Sequence, residues 1–205
     1  MVAIPSHAKL GQLAVPAAAL YVIGTLEVIE GIRQRRRGVR RALVVSEGDR
    51  DPTSTWLLTF TWWPAGIAGL AAAALLPQLA VSRDGRRCWM VFGLVAAGAG
   101  VALRQWAIAT LGRFFVGHVV VQPDQTVVTS GPYRWLRHPS YAGQWLEMIG
   151  VGMSTGNGLS LATCTLLPLV GIVARIRSEE RELAADLPGY SEFLRGKARL
   201  LPFVW

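Results

Sequence analysis

The stretch CWMVFGLVAAGAGVALRQWAIATL occupies residues 88–111. An α-helix needs about 20 mostly apolar residues to cross a bilayer core. This stretch has that length and holds a single charged residue, Arg104, one to two turns from its end. Read outward, the pattern recurs. Leu10 to Ile32 and Trp56 to Val81 precede it. Two shorter runs, Ser140 to Met153 and Leu159 to Ile176, follow and are joined by Thr155-Gly-Asn-Gly158 as a tight turn. The expected fold is an all-α integral membrane protein of about five transmembrane helices, the last two forming a hairpin. One membrane domain spans 1–205, with three N-terminal helices over 10–111 and a second part over 112–205 that ends in a charged C-terminal helix.

Composition agrees. The chain has 205 residues, 52% of them hydrophobic and 17% charged, and its mean hydropathy is +0.36. A soluble domain carries about 25% charged residues. Disorder is excluded, because this much apolar surface demands burial. Two distant cysteines, Cys88 and Cys164, exclude a disulfide scaffold, and with three histidines they leave no Cys/His zinc set. No metal is expected. The first apolar run is too long, and too poor in preceding charge, for a cleaved signal peptide, so it reads as a retained helix.

The formal net charge is +8. The excess sits between apolar runs, which points to membrane topology and not to nucleic acid. Five helices place 16 Lys and Arg on one side and 4 on the other, with Arg104 within the membrane. The C-terminus is therefore expected in the cytoplasm, in a multi-pass chain of a bacterial inner membrane; Ala, Arg and Gly richness fits a prokaryotic source. The polybasic stretch Arg33 to Arg41 reads as a topology anchor or as a contact for anionic lipid.

Ionisable groups inside a bilayer are costly and are functional candidates. Arg104 and Glu147 are two, either paired structurally or lining a pocket between helices. Glu27 and Glu30, three residues apart, share a face near the end of the first run. Between runs three and four, Val119 to Val121 and Thr126 to Val128 read as short extended pieces. Next comes Gly131-Pro-Tyr-Arg-Trp-Leu-Arg-His-Pro-Ser-Tyr-Ala-Gly143. Pro139 fits a first helical turn, which puts His138 at the N-cap, where backbone N–H groups attract anions. Tyr133, Trp135 and Tyr141 offer faces to an adenine or a cation, or form an interfacial belt. Further on, Arg175 and Glu179 are i,i+4 neighbours at the end of run five, as are Ser178 and Glu182. The pair is either a surface salt bridge or a cation and a carboxylate at a pocket mouth. Gly93, Gly98 and Gly100 allow close helix packing, within one bundle or between copies.

From Leu103 to Trp205 the chain resembles the isoprenylcysteine carboxyl methyltransferase family of membrane enzymes. Four stretches carry the likeness: Leu103-Arg104 with Ala107, Thr110 and Gly112; Val127-Val-Thr-Ser-Gly-Pro-Tyr133; Arg137-His-Pro-Ser-Tyr-Ala-Gly143; and Arg175 through Glu179-Glu180 to Leu183, with Tyr190, Phe193 and Leu201-Pro-Phe203. Phe193 stands where a tyrosine is usual, and the Leu187-Pro-Gly-Tyr190 turn is one residue short. The resemblance implies S-adenosyl-L-methionine as cofactor, held on a cytoplasmic loop and the C-terminal helix. Its contacts are implied at Gln122, Gln125, Thr126, Val127, Val128, Tyr133, His138, Pro139, Ser140, Tyr141 and Glu179. Substrate-side arginines fall on Arg104 and Arg175. The implied reaction is methylation of a lipophilic or lipidated acceptor, most directly O-methylation of an isoprenoid or prenylcysteine carboxylate. A carboxylate is ionised at pH 7 and needs no base; a phenol, enol or thiol would call on Glu147 or His118. The alternative is an NADPH-dependent membrane reductase of the sterol-reductase type, whose Arg-His-Pro-Asn-Tyr motif is related; here Ser140 replaces the Asn.

Overall fold

The computed structural model describes residues 7–42, 51–115, 124–202 and 205. Helices α1 (His7–Ala42), α2 (Pro52–Leu75), α3 (Arg83–Leu111), α4 (Pro139–Ser154) and α5 (Gly158–Asp186) form the body, and a short α6 (Tyr190–Phe193) follows. Among the described residues there is no strand. Thr126 to Val128 is irregular, whereas Val119 to Val121, Gln122 and His118 lie outside the described residues.

Among the described residues, four helices are long and apolar enough to cross a membrane: Leu13–Arg33, Thr53–Leu75, Arg83–Phe114 and Gly158–Asp186. The fifth, α4, has 16 residues, about 24 Å at 1.5 Å per residue. Side chains such as Tyr21, Phe60, Phe92, Val95 and Leu166 are more than 60% exposed, as lipid-facing residues are. Pro77 ends α2 six residues before the expected Val81 by starting a 3-10 turn. Ser82 starts α3 early, its Oγ accepting from Gly85 N. The expected loop 82–87 is therefore mostly helix. The charged segment after Ile176 continues α5 unbroken to Asp186, so the apolar run and the charged helix are one element. The polybasic stretch is likewise the end of α1 and not a loop.

The most extensive packing is α3 on α4, then α2 on α5. Small residues let α3 and α4 touch through their backbones. A Cβ added to Gly100 would lie 2.6 Å from Glu147 N, and one added to Gly143 would lie 2.7 Å from Arg104 N. Gly98, by contrast, faces open space and has no part in this seam. The central core draws on all five long helices: Leu20 and Ile23, Trp62 and Ala65, Ala97, Met148 and Val151, and Cys164.

The two ends of the bundle are built differently. At one end Asn157 caps α5 with Oδ1, while its Nδ2 donates to Leu76 O at 2.9 Å. At the other, the chain entering α4 is tied to the C-terminal tail. Arg137 N donates to Ala198 O at 2.8 Å and His138 N to Arg199 O at 3.1 Å.

Candidate active site

A cavity of about 200 Å³ opens at this second end. Its wall includes Arg104 from α3, Ser140, Tyr141 and Gln144 from α4, and Arg175 and Glu179 from α5. Gln125, Thr126, Val127, Val128, Tyr133 and His138 close it from the loop. One space thus gathers both arginines and, among the described residues, all but one of the expected cofactor contacts. Pro139 is the exception; it is buried at the first position of α4 and sets the helix start beside the wall. His138 is the N-cap residue, as expected, although its side chain does not cap.

The arrangement follows from local sequence. On α4, Ser140, Gln144 and Glu147 recur at helical spacing and share a face. The α3–α4 seam lays that face against Arg104. Arg104 Nη1 donates to Ser140 Oγ at 2.8 Å. Its Nη2 donates to Glu27 Oε2 at 2.6 Å, and Nε pairs with Glu27 Oε1 at 2.5 Å. The membrane arginine is therefore held bidentately by a carboxylate of α1, a geometry that suits the guanidinium fork. Glu147, the partner weighed from the sequence, is 1% exposed and outside the cavity wall.

Arg175 is held from another helix. Its Nη1 donates to Ser54 Oγ at 3.0 Å and to Thr55 Oγ1 at 2.8 Å, both at the start of α2. Its Nε donates to the Tyr141 hydroxyl oxygen at 3.3 Å, and that hydroxyl donates to Glu179 Oε2 at 2.8 Å. One phenol thus stands between a guanidinium and a carboxylate in the cavity wall.

The adjacent glutamates divide the work. Glu180 is turned away from the cavity and clamps three groups of the motif and tail: Arg137 Nη1 at 3.2 Å, His138 Nε2 at 3.2 Å and Arg199 Nε at 2.9 Å. Arg137 also reaches Leu194 O. Glu179 alone of the two lines the cavity. Tyr133 is buried in a cluster with Ala107, Leu187, Tyr190 and Phe193; burial pushes its hydroxyl above the ordinary tyrosine range, so the ring stays neutral.

Glu27, Ser54, Thr55 and Gln144 were not singled out as site residues from sequence. Two had a local signal: Gln144 in its i+4 relation to Ser140, and Glu27 as an acid near the end of an apolar run.

Fold and site together define a polytopic helical membrane protein with a polar cavity at one end of its bundle. Residues 91–185 match the model of the isoprenylcysteine carboxyl methyltransferase (ICMT) family. Protein-S-isoprenylcysteine O-methyltransferase of Xenopus laevis is 36% identical over 121 residues, covering 57% of this chain and 42% of that protein. A probable protein-S-isoprenylcysteine O-methyltransferase of Oryza sativa subsp. indica is 30% identical over 168 residues, covering 77% of this chain and 84% of the relative. In fold, the chain is similar to the solved eukaryotic intramembrane Ras methyltransferase ICMT, with a TM-score of 0.59, 23% identity, and coverage of 94% of this chain and 68% of that one. The chain belongs to the isoprenylcysteine carboxyl methyltransferase family. It spans less than half the length of the frog relative. The reductase alternative gains no support from these similarities.

Proposed function

We propose that this protein is an S-adenosyl-L-methionine-dependent methyltransferase that esterifies a carboxylate on a lipid-borne acceptor of the isoprenylcysteine type. The observation that carries the reading is the Tyr141 hydroxyl, bonded on one side to Glu179 and on the other to Arg175. A cation is favoured beside the first and an anion beside the second, within one cavity.

The donor set fits the cofactor. Glu179 offers a carboxylate to its positive groups, Tyr133 an aromatic face, and Gln125 to Val128 an irregular segment along the same wall. His138, Pro139 and Ser140 form the helix start that borders it. When bound, S-adenosyl-L-methionine supplies a methyl group on a sulfonium sulfur, which departs as a neutral thioether. Arg175 holds the acceptor carboxylate near Tyr141, and Arg104, restrained by Glu27, fixes Ser140 and the wall below it. The carboxylate is ionised at pH 7, so the chain has only to orient it and exclude water. Leu58, Leu111, Phe114 and Leu183 supply apolar wall for that purpose. Glu147 lies outside the cavity and need not act as a base. The acceptor's chain enters from the bilayer, and the cavity faces the cytoplasm together with the C-terminal tail of what is, in this reading, an inner-membrane protein.

The test is titration of S-adenosylhomocysteine into the detergent-solubilised protein, paired with methyl-ester formation on an S-prenylated N-acetylcysteine. Micromolar binding is expected, weakened at least ~10-fold by Glu179→Gln, since a charge-assisted contact contributes about 1.5–3 kcal/mol. Absence of binding by folded protein, or unchanged affinity in the variant, overturns the reading.

A further inference from the structure

Gln144 sits one helical turn deeper in the bundle than Ser140, is 5% exposed, and forms part of the cavity wall. Its Oε1 is buried without a hydrogen-bond partner. A buried polar atom left unmatched is costly, and buried acceptors are as a rule satisfied by protein, water or ligand. The nearby donors are engaged elsewhere: Arg104 with Glu27 and Ser140, and Arg175 with Ser54, Thr55 and Tyr141. Nothing described so far uses this oxygen.

We infer that Gln144 is an acceptor-contact residue, whose amide oxygen receives a hydrogen bond from an N–H or O–H group next to the carboxylate being methylated. Its depth decides the side. The proposed cofactor contacts lie on the loop, at the start of α4 and at Glu179, whereas position 144 is about 6 Å further along α4 from Ser140, away from the loop. The chemistry then sets the class of acceptor. An N-acylated amino acid carries a donor beside its carboxylate; a simple fatty or isoprenoid acid carries none. A site with a buried hydrogen-bonding group rejects the analogue that leaves it unpaired. The inference rests on the carboxyl-methylation reading and adds to it the residue that reads the group beside the acceptor carboxylate.

The experiment compares two acids with the same prenyl thioether: S-prenyl-N-acetylcysteine, and S-prenyl-3-mercaptopropionate, which lacks the nitrogen. Each is assayed for turnover, and for binding to the S-adenosylhomocysteine-loaded protein by thermal shift. Wild-type protein is expected to favour the N–H acid by ~10-fold in kcat/KM. Gln144→Leu should bring that ratio near unity through a raised KM for the N–H acid, with S-adenosylhomocysteine affinity unchanged. Gln144→Met, closer in shape, gives the same readout if the Leu variant fails to fold. Equal handling of the two acids by wild type, or a preference that survives in both variants, overturns the inference. If neither acid is methylated, yet the N–H acid binds more tightly and loses that advantage in the variants, the Gln144 contact is upheld as a binding contact and the proposed reaction falls.

Discussion

The α3–α4 pair and the α1–α2 pair contribute to the same cavity in opposite ways. In α3 and α4 the backbones themselves are in contact, at Gly100 against Glu147 N and at Gly143 against Arg104 N. That contact fixes where Arg104, Ser140 and Gln144 stand. Helices α1 and α2 also turn large side chains outward, Tyr21 at 74% and Phe60 at 65% exposed, but touch the rest of the bundle less closely. They reach the site through a few polar atoms: Glu27 on Arg104, and Ser54 and Thr55 on Arg175. Position therefore comes from the α3–α4 pair, whereas α1 supplies the carboxylate on Arg104 and α2 the two hydroxyls on Arg175. A close backbone seam tolerates no added atom, whereas a polar partner on a lipid-facing helix can be changed with the fold retained.

The largest effect should arise at the seam. Gly143→Val places methyl groups where even a Cβ meets Arg104 N at 2.7 Å, and overpacking against a backbone cannot be relieved by a rotamer change. The expected result is loss of monodisperse protein on gel filtration. Gly98→Val, at a position with nothing within 4 Å, should leave elution and melting unchanged. Equal behaviour of the two variants would show that the backbone seam does not hold the α3–α4 pair in place. Next in size is Glu27→Gln, which strips the bidentate partner from a buried guanidinium. Breaking one side of such a pair typically costs about 3–5 kcal/mol. The melting temperature should fall by several degrees, and the Glu27→Gln, Arg104→Gln double variant should recover part of the loss. Additive losses would show that the two residues do not stabilise each other.

The same contrast governs what could be read without a structure. The five helices were legible because hydrophobic runs of bilayer length have few other uses. The C-terminal contacts were legible because Arg137 to Gly143 and Arg175 to Leu183 combine charge, aromatic and proline positions at set spacing. Helix ends were read less well. The α5 apolar run and the charged segment after it differ in composition but not in backbone, since nothing breaks the helix until Leu187-Pro188. Glu27 was visible as an acid near a helix end, yet its pairing with Arg104, 77 residues away, depends on how α1 leans on the bundle. Ser54 and Thr55 look like ordinary residues of a helix start, with Asp51 as N-cap. No local pattern announces that they face Arg175 across 120 residues of chain. The roles of Glu179 and Glu180 also needed the fold, because adjacent helical positions point about 100° apart and only the tail shows which one meets Arg199.

A smaller effect separates orientation from charge. Ser54→Ala with Thr55→Val removes two hydroxyls from Arg175 and leaves the guanidinium in place. Each hydrogen bond from the charged guanidinium is worth about 1.5–3 kcal/mol, so kcat/KM for the acceptor should fall at least ~10-fold with S-adenosylhomocysteine affinity intact. A weakened cofactor affinity instead would place these hydroxyls on the cofactor side of Tyr141.

The smallest effect lies at the start of α2, where the half-buried Asp51 connects that helix to α5. Its carboxyl is held below the ordinary range, first by the Ser178 hydroxyl, then by the Ser54 contacts and by Arg175, against an opposing contribution from burial. Asp51 Oδ1 accepts from Ser54 N at 3.2 Å, so the charged form also serves as the α2 cap. A carboxyl whose folded-state pKa is depressed stabilises the fold above its unfolded value, about 3.9, and that contribution disappears as pH falls through the lower folded-state value. Wild type should therefore melt slightly above Asp51→Asn at pH 7, and the gap should close on acidification below pH 4. The gap should also shrink in Ser178→Ala, because the hydroxyl is the largest cause of the shift. A pH-independent gap would mean that Asp51 acts through neutral hydrogen bonding alone. In that case α2 would orient Arg175 without any electrostatic share, which is the sharper form of the division between the two helix pairs.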